Sequence, residues 1–300
     1  MPKPINPKDL FKAYQAKVTF IDDYLGVYDA ELKQLQRELA MQIVAEYIPK
    51  FDTVDGKIVL NEHNARLLGE LDNVFLDFKN TFALDVFKTT GEKMLKLTGM
   101  TSEYFRMMNF SSKTLANISD KLSKMQFTIG IDSKGTVIPG SFIDNLASTP
   151  QTKALLSDYV RKGIEGEQSY KDFASGFREV IEGTPDVDGS LVRYSQQYVH
   201  DSMYAHSQSV DNFFADELKL DCFYYAGDII KSSRPFCITR AGKIYTREQG
   251  EEWQDMEWQG KIPGQDFFTQ RGGYNCRHNL MWVPCEAVTE EEMAKNDPNL

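Results

Sequence analysis

Residues 224–285 read YYAGDIIKSSRPFCITRAGKIYTREQGEEWQDMEWQGKIPGQDFFTQRGGYNCRHNLMWVPC, and they decide how the chain is organised. Most of the sequence before them has a helical pattern; this stretch does not. It holds all three Trp and three of the four Cys, and it closes on Gly272-Gly273-Tyr274-Asn275-Cys276-Arg277-His278. Leu220 to Ala226 is aromatic and alternating and predicts a strand. Ala241-Gly242-Lys243-Ile244-Tyr245 predicts a turn into a second short strand. Glu248 to Gly264 is largely polar and carries Trp253 and Trp258, as expected of a loop or short helix that docks through its indoles. Asn279 to Pro284 predicts a last apolar strand. The expectation is a small α+β module of three strands over residues 220–288, followed by an acidic tail, 289–300, that frays beyond Lys295.

Working outward, the N-terminal part is helical. Asn6 and Pro7 have the residue types of an N-cap and a first helical position. Apolar residues then recur at Leu10, Tyr14, Val18, Ile21, Leu25, Tyr28, Leu32, Leu35, Leu39 and Ile43, in steps of three and four, until Pro49. A helix over that span is about 60 Å long at 1.5 Å per residue. Val54-Asp55-Gly56-Lys57 is a turn signature between two short apolar pieces. Asn61 to Asn64 opens a second long helix, with its seam at Leu67, Leu71, Val74, Phe75, Phe78, Phe82 and Val86 and a predicted stop at Gly99. It is the natural antiparallel partner of the first. A third helix is expected after Thr101-Ser102-Glu103, carrying Tyr104 to Met125. Residues 129–140 are rich in turn formers and mark a boundary. Three shorter helices follow, near 149–163, 169–182 and 190–218. The fold class is therefore mostly α with a small C-terminal α+β module. Its segments are 1–128 (long helical, coiled-coil-like), 129–219 (helical), 220–288 and 289–300.

Composition narrows function. Three hundred residues are ample for a core. The net charge of −10 makes the chain a poor general polyanion binder. Lys231, Arg234, Arg240, Lys243 and Arg247 form the one basic concentration and are the candidates for contact with nucleic acid or an acidic partner. No run is long and apolar enough to span a bilayer, and the N-terminus is polar and Pro-rich rather than a secretory leader. Synthesis in a reducing cytoplasm follows, and four Cys do not make a disulfide scaffold. Cys237, Cys276, His278 and Cys285 have the residue types of a Cys₃His zinc site. The absence of a Cys-x-x-Cys pair counts against it, a Cys237–Cys276 disulfide competes with it, and buried free thiols are the favoured state. No cofactor is therefore assigned. Cys276, His278 and Asp228 have the types of a nucleophile, base and orienter, but no oxyanion-hole signature accompanies them. No P-loop, dinucleotide fingerprint, H-E-x-x-H or G-x-S-x-G occurs, so no residue is assigned as catalytic.

Asp228, Ser233-Arg234, Cys237, Gly242 and the late Asn275-Cys276-Arg277-His278 before Pro284 resemble, in order and type, the C-terminal part of phage Mu F-like minor head proteins, also called phage head morphogenesis proteins. The resemblance covers about Thr149 to Pro284. The chain departs from that pattern at Gly273, where the family has His, and at His278, where it has Cys. The Arg-Thr-Glu of the family's preceding helix has no clear equivalent; His200-Asp201-Ser202 falls roughly there. The resemblance implies a structural minor capsid protein of a tailed phage or prophage, made in the bacterial cytoplasm and carried in the virion head. It would sit on the portal inside the procapsid, among capsid or scaffold proteins and packaged DNA, and assist assembly, packaging or ejection. In that reading Asp228, Arg234, Cys237, Gly242, Asn275, Cys276, Arg277, His278 and Pro284 hold the module together, with Asp228 paired to an Arg. The alternative it also implies is a toxin- or nuclease-like enzyme acting on nucleic acid or nucleotide through the Cys/His module.

Overall fold

The structure, a computed structural model, describes residues 4–59, 61–125, 169–184, 187–188 and 190–297. The expected turn-rich boundary at 129–140 and helix at 149–163 lie outside the described residues. The remainder is mostly helical with a small antiparallel sheet near the C-terminus. The chain divides into two compact units, Met1–Tyr24 with Glu92–Phe127 and Val199–Leu300, and Leu25–Gly91 with Thr128–Tyr198. These are not the consecutive segments expected from the order of the chain.

Helix α1, Pro7–Gln42, starts where the cap was expected. Asn6 Oδ1 accepts from the Lys8 N–H at 3.1 Å. The helix gives way to a π turn at Ile43–Tyr47 and a 3₁₀ turn at Ile48–Lys50 that contains Pro49. Helix α2, Glu62–Arg106, runs straight through Gly99. No atom lies near where a Gly99 side chain would be. The intrinsic cost of about 1 kcal/mol for a helical Gly is outweighed by the apolar face that continues through Leu97, Tyr104 and Phe105. The break comes instead at Asn109, whose φ is +67°, a conformation Asn tolerates better than most residues. Ser111 then caps α3, Ser112–Met125, accepting from the Thr114 N–H at 3.1 Å.

In the second unit, β1 (Thr53–Val54) and β2 (Lys57–Ile58) form the expected hairpin, with Asp55 and Gly56 both at positive φ. Buried Asn64 fastens it to the start of α2. It accepts from the Asp52 N–H at 2.8 Å and donates to the carbonyls of Asp52 and Val59. Helix α4, Tyr170–Glu182, is capped by Ser169 and places Phe173 against Phe51 in a core with Leu39, Ile43, Leu67 and Leu71. A short β3–β4 ribbon (Gly183–Thr184, Val187–Asp188) leads to α5, Ser190–Leu218.

The first unit carries the rest. Its sheet has the order β6-β5-β7, with β5 Cys222–Ala226, β6 Ile244–Thr246 and β7 Asn279–Val283, all antiparallel. Between β5 and β6 lies α6, Pro235–Ile238. Between β6 and β7 lie α7, Arg247–Trp253, and α8, Phe267–Gln270. Every residue of β5 and β7 is buried. The strands are thus covered on both faces, so β5 is not the half-exposed strand that its alternating reading implied. Phe223 and its cross-strand neighbour Trp282 face Trp253, Phe267 and Phe268. Tyr224, on the opposite face, meets Phe11 of α1 edge-on at 5.5 Å. The same core takes in Leu10 and Tyr14 of α1, Tyr104 and Phe105 of α2, Leu115 and Ile118 of α3, and Phe214 of α5. The module is therefore not cored by its own residues alone; α1, α2, α3 and α5 supply part of its interior.

The expected tail is also part of this core. Thr289 and Glu292 make a reciprocal capping box for α9, Glu290–Asn296. Met293 is fully buried, and Asp297 accepts from the Tyr224 hydroxyl at 2.9 Å. No helix among the described residues is long and apolar enough to cross a membrane.

Candidate functional site

Seven of the nine motif residues converge on one cleft of about 460 Å³ in the first unit: Asp228, Arg234, Cys237, Asn275, Cys276, Arg277 and His278. Gly242 and Pro284 serve the fold elsewhere. Gly242, at φ +80°, makes the turn into β6 and donates its N–H to the Tyr225 carbonyl, and Pro284 follows the end of β7. The cleft is completed by residues the sequence gave no reason to single out, Tyr14 and Asp22 of α1 and Tyr204 of α5. They arrive from far along the chain, and their only local signal is membership of a helical face. His200 also lines it. Its neighbour Asp201 accepts from the Asn275 N–H at 2.8 Å and so ties α5 to the motif turn.

That turn is shaped by two glycines. A side chain on Gly273, which sits at φ +96°, would lie 1.8 Å from the Gly260 carbonyl oxygen. A side chain on Gly272 would lie 2.4 Å from Cys237 Sγ and 2.8 Å from Cys276 Sγ. Bare backbone passes directly over two sulfurs, and position 273 has no room for a side chain. Arg234 clamps the turn, donating to the Gly272 carbonyl at 3.3 Å and the Tyr274 carbonyl at 2.7 Å. Trp258 Nε1 donates to the same Gly272 oxygen at 3.0 Å while its ring stacks on Phe236 at 4.2 Å.

Beneath the turn, one ligand atom from each of Cys237, Cys276 and His278 lies within 4.8 Å of the other two, and all three residues are buried. Cys276 Sγ is 3.8 Å from His278 Nδ1, and the Tyr225 hydroxyl donates to Cys237 Sγ at 3.5 Å. His278 Nε2 is buried without a hydrogen-bond partner, a cost of about 1–3 kcal/mol for such a group. The Cys237 thiol, then His278 and the Arg271 guanidinium, hold Cys276 well below the usual thiol range against the opposing effect of burial. Hydrogen bonding to Cys276, then burial, pushes Cys237 up. Arg271 is itself buried, reaching Asn279 Oδ1 at 3.2 Å, and Asn279 in turn donates to the Tyr14 hydroxyl at 2.9 Å.

Cys285 takes no part. It is bonded to Cys222 of β5 in a disulfide closing a separation of 63 residues, so a four-ligand set that includes Cys285 is not formed. Nor is Asp228 paired to an arginine; it is exposed and makes no ion pair among the described residues. The five basic residues are mostly engaged internally. Arg240 lies over Phe236 and Trp253, at 3.8 and 4.2 Å. Arg247 lies over Trp282 at 4.1 Å and pairs with Asp216 at 2.8 Å. Lys243 donates to the Thr239 carbonyl at 3.2 Å, and Arg234 holds the motif turn. Lys231 alone of the five is exposed with no partner among the described residues.

The arrangement offers two kinds of chemistry, cysteine redox and soft-metal ligation. No protein-family model, curated protein or solved structure matches this chain.

Proposed function

We propose that this chain is a minor structural protein of a tailed-phage or prophage head, bound to the portal within the procapsid and assisting assembly or the passage of DNA. The observation that supports this reading is the gathering of Asp228, Arg234, Cys237, Asn275, Cys276, Arg277 and His278 at one cleft. A set of residues recognised only as a resemblance in order thus makes one local structure, with Arg234 and the two glycines holding its turn. A structural role also suits the internal contacts made by four of the five basic residues of the C-terminal module, on a chain of net charge −10. The protein partners in this reading are portal, capsid or scaffold proteins; contact with packaged DNA is secondary.

The test is co-expression of the full chain with any portal and major capsid proteins that its neighbouring genes encode, followed by affinity capture. Co-purification with portal, and recovery of the chain from purified heads, is the expected result. Capture of neither protein overturns the reading. A second reading, an enzyme acting on nucleic acid or nucleotide, draws on the Cys276–His278 pair at 3.8 Å. Cys276 is only 3% exposed, which is unfavourable for attack on a bulky substrate. Nuclease or nucleotide turnover lost in a folded Cys276→Ala variant would favour this second reading.

A further inference from the structure

We infer that Cys237, Cys276 and His278 form a site for a thiophilic divalent cation, zinc by the chemistry of the donors, whose fourth coordination position opens on the cleft. Tetrahedral zinc binds thiolate sulfur at about 2.3 Å and imidazole nitrogen at about 2.0–2.1 Å, which spaces the donors roughly 3.6–3.8 Å apart. The Cys276 sulfur and His278 Nδ1 already stand 3.8 Å apart, and no pair in the set exceeds 4.8 Å. Closing around an ion therefore needs a contraction of about 1 Å or less. Two sulfurs and an imidazole select zinc over magnesium or calcium, which prefer oxygen.

Three further features fit a metal and are not needed by a pair of idle thiols. First, the donors come from separate places, Cys237 on α6 and the other two from the loop that leads into β7, so an ion would join them. Second, the backbone over the sulfurs is glycine and is held from both sides. Arg234 and Trp258 both donate to the Gly272 carbonyl, so donor positions are fixed before any ion arrives. Third, His278 is 4% exposed, yet among the described residues its only polar side-chain contact is the one from Nδ1 to Cys276. The ring has left water for a sulfur neighbour that offers it little. Among the described His, Cys, Asp and Glu residues three donors gather and no fourth, the ligand count of sites that keep a position for water or substrate. That position opens toward the cleft, where Asp228 is exposed.

This inference is independent of the head-assembly reading and is tested without it. The full chain is purified in reductant without chelator, and its zinc is measured by elemental analysis. About one zinc per chain is expected, surviving dialysis. Cobalt(II) added to the chelator-stripped protein should give the charge-transfer absorption of thiolate ligation. Cys276→Ser should abolish that absorption, and His278→Ala should weaken zinc retention at least tenfold. His278→Cys, which replaces one soft donor by another, should keep the metal and so separates ligand loss from misfolding. Cys285→Ser, which removes no donor, should also keep it. If the wild-type chain holds no zinc and added zinc leaves Cys237 and Cys276 as reactive to an alkylating reagent as before, the site is refuted. Recovery of a Cys237–Cys276 disulfide from reductant-treated protein refutes it equally.

Discussion

The carbonyl oxygen of Gly260 occupies the place that a side chain on Gly273 would take, 1.8 Å from the ideal Cβ position. The same oxygen accepts the N–H of Tyr274 at 3.1 Å. Neither partner in this contact is a side chain that can swing away. Gly273→Ala should therefore destabilise the first unit by on the order of 3 kcal/mol, adding the strain of a positive φ to a backbone collision. Urea denaturation followed by Trp fluorescence measures it, and a loss under 1 kcal/mol would contradict the packing described for the turn.

Gly26 is the opposite case. It lies within α1, and no atom is within 4 Å of its ideal Cβ position. Gly26→Ala should stabilise the chain by about 1 kcal/mol through helix propensity alone. The midpoint of the same denaturation should rise with an unchanged slope.

Lys17 and Asp211 make a buried ion pair between α1 and α5. Asp211 also accepts from Thr101 at 2.9 Å and from Gln208 at 3.2 Å. Lys17→Met strands a buried carboxylate and should cost about 3–5 kcal/mol. Adding Asp211→Leu should recover only part of this, because Thr101 and Gln208 then lose their acceptor. Full recovery in the double variant would mean that those two bonds contribute nothing.

His206 is buried and its Nε2 is 3.0 Å from the Met94 carbonyl. Burial, aided by the Lys17 charge, pulls its pKa from 6.5 down to about 4. A depressed histidine takes up its proton more readily unfolded than folded. Its contribution is complete above pH 6.5 and is lost as pH falls toward 4, amounting to about 3 kcal/mol across that window. Stability measured at pH 7 and pH 4.5 should differ in that sense, and the difference should shrink in His206→Gln. An unchanged pH dependence in that variant would show that His206 does not carry it.

Cys222 is buried in β5 and its partner Cys285 is exposed. Closing 63 residues, the bond should contribute about 4 kcal/mol once formed. Cys285→Ser should lower stability by that amount under oxidising conditions and by little in reductant. Equal stability of the two proteins under both conditions would mean the bond does not form.

Local signals in the sequence were the ones that could be read. Asn6 and Pro7 start α1, Val54 to Lys57 turn the hairpin, and the strands of the C-terminal sheet lie where their aromatic residues placed them. Gly99 misled, because helix propensity is weak beside a continuing buried face. The tail misled because its acidic composition masked the Thr289–Glu292 box, which was legible in principle. The cysteines needed register. Cys222 pairs opposite Val283, which carries Cys285 to its sulfur and away from Cys237 and Cys276. No local pattern reveals that register. Tyr14 and Asp22 were beyond reach for the same reason, since only the folded chain brings α1 to residues 275–278.

The first unit is assembled from the beginning, the middle and the end of the chain. Its earliest residues are thus made long before their partners. Leu10 and Phe11 emerge from the ribosome more than two hundred residues ahead of Tyr224 and the β7 strand that completes their surroundings. At about 5–20 residues per second, that is a wait on the order of ten seconds to a minute with a greasy helix face uncovered. Helix α1 is made long before the partners that cover it, so production of this protein should depend strongly on whatever shelters that helix during translation.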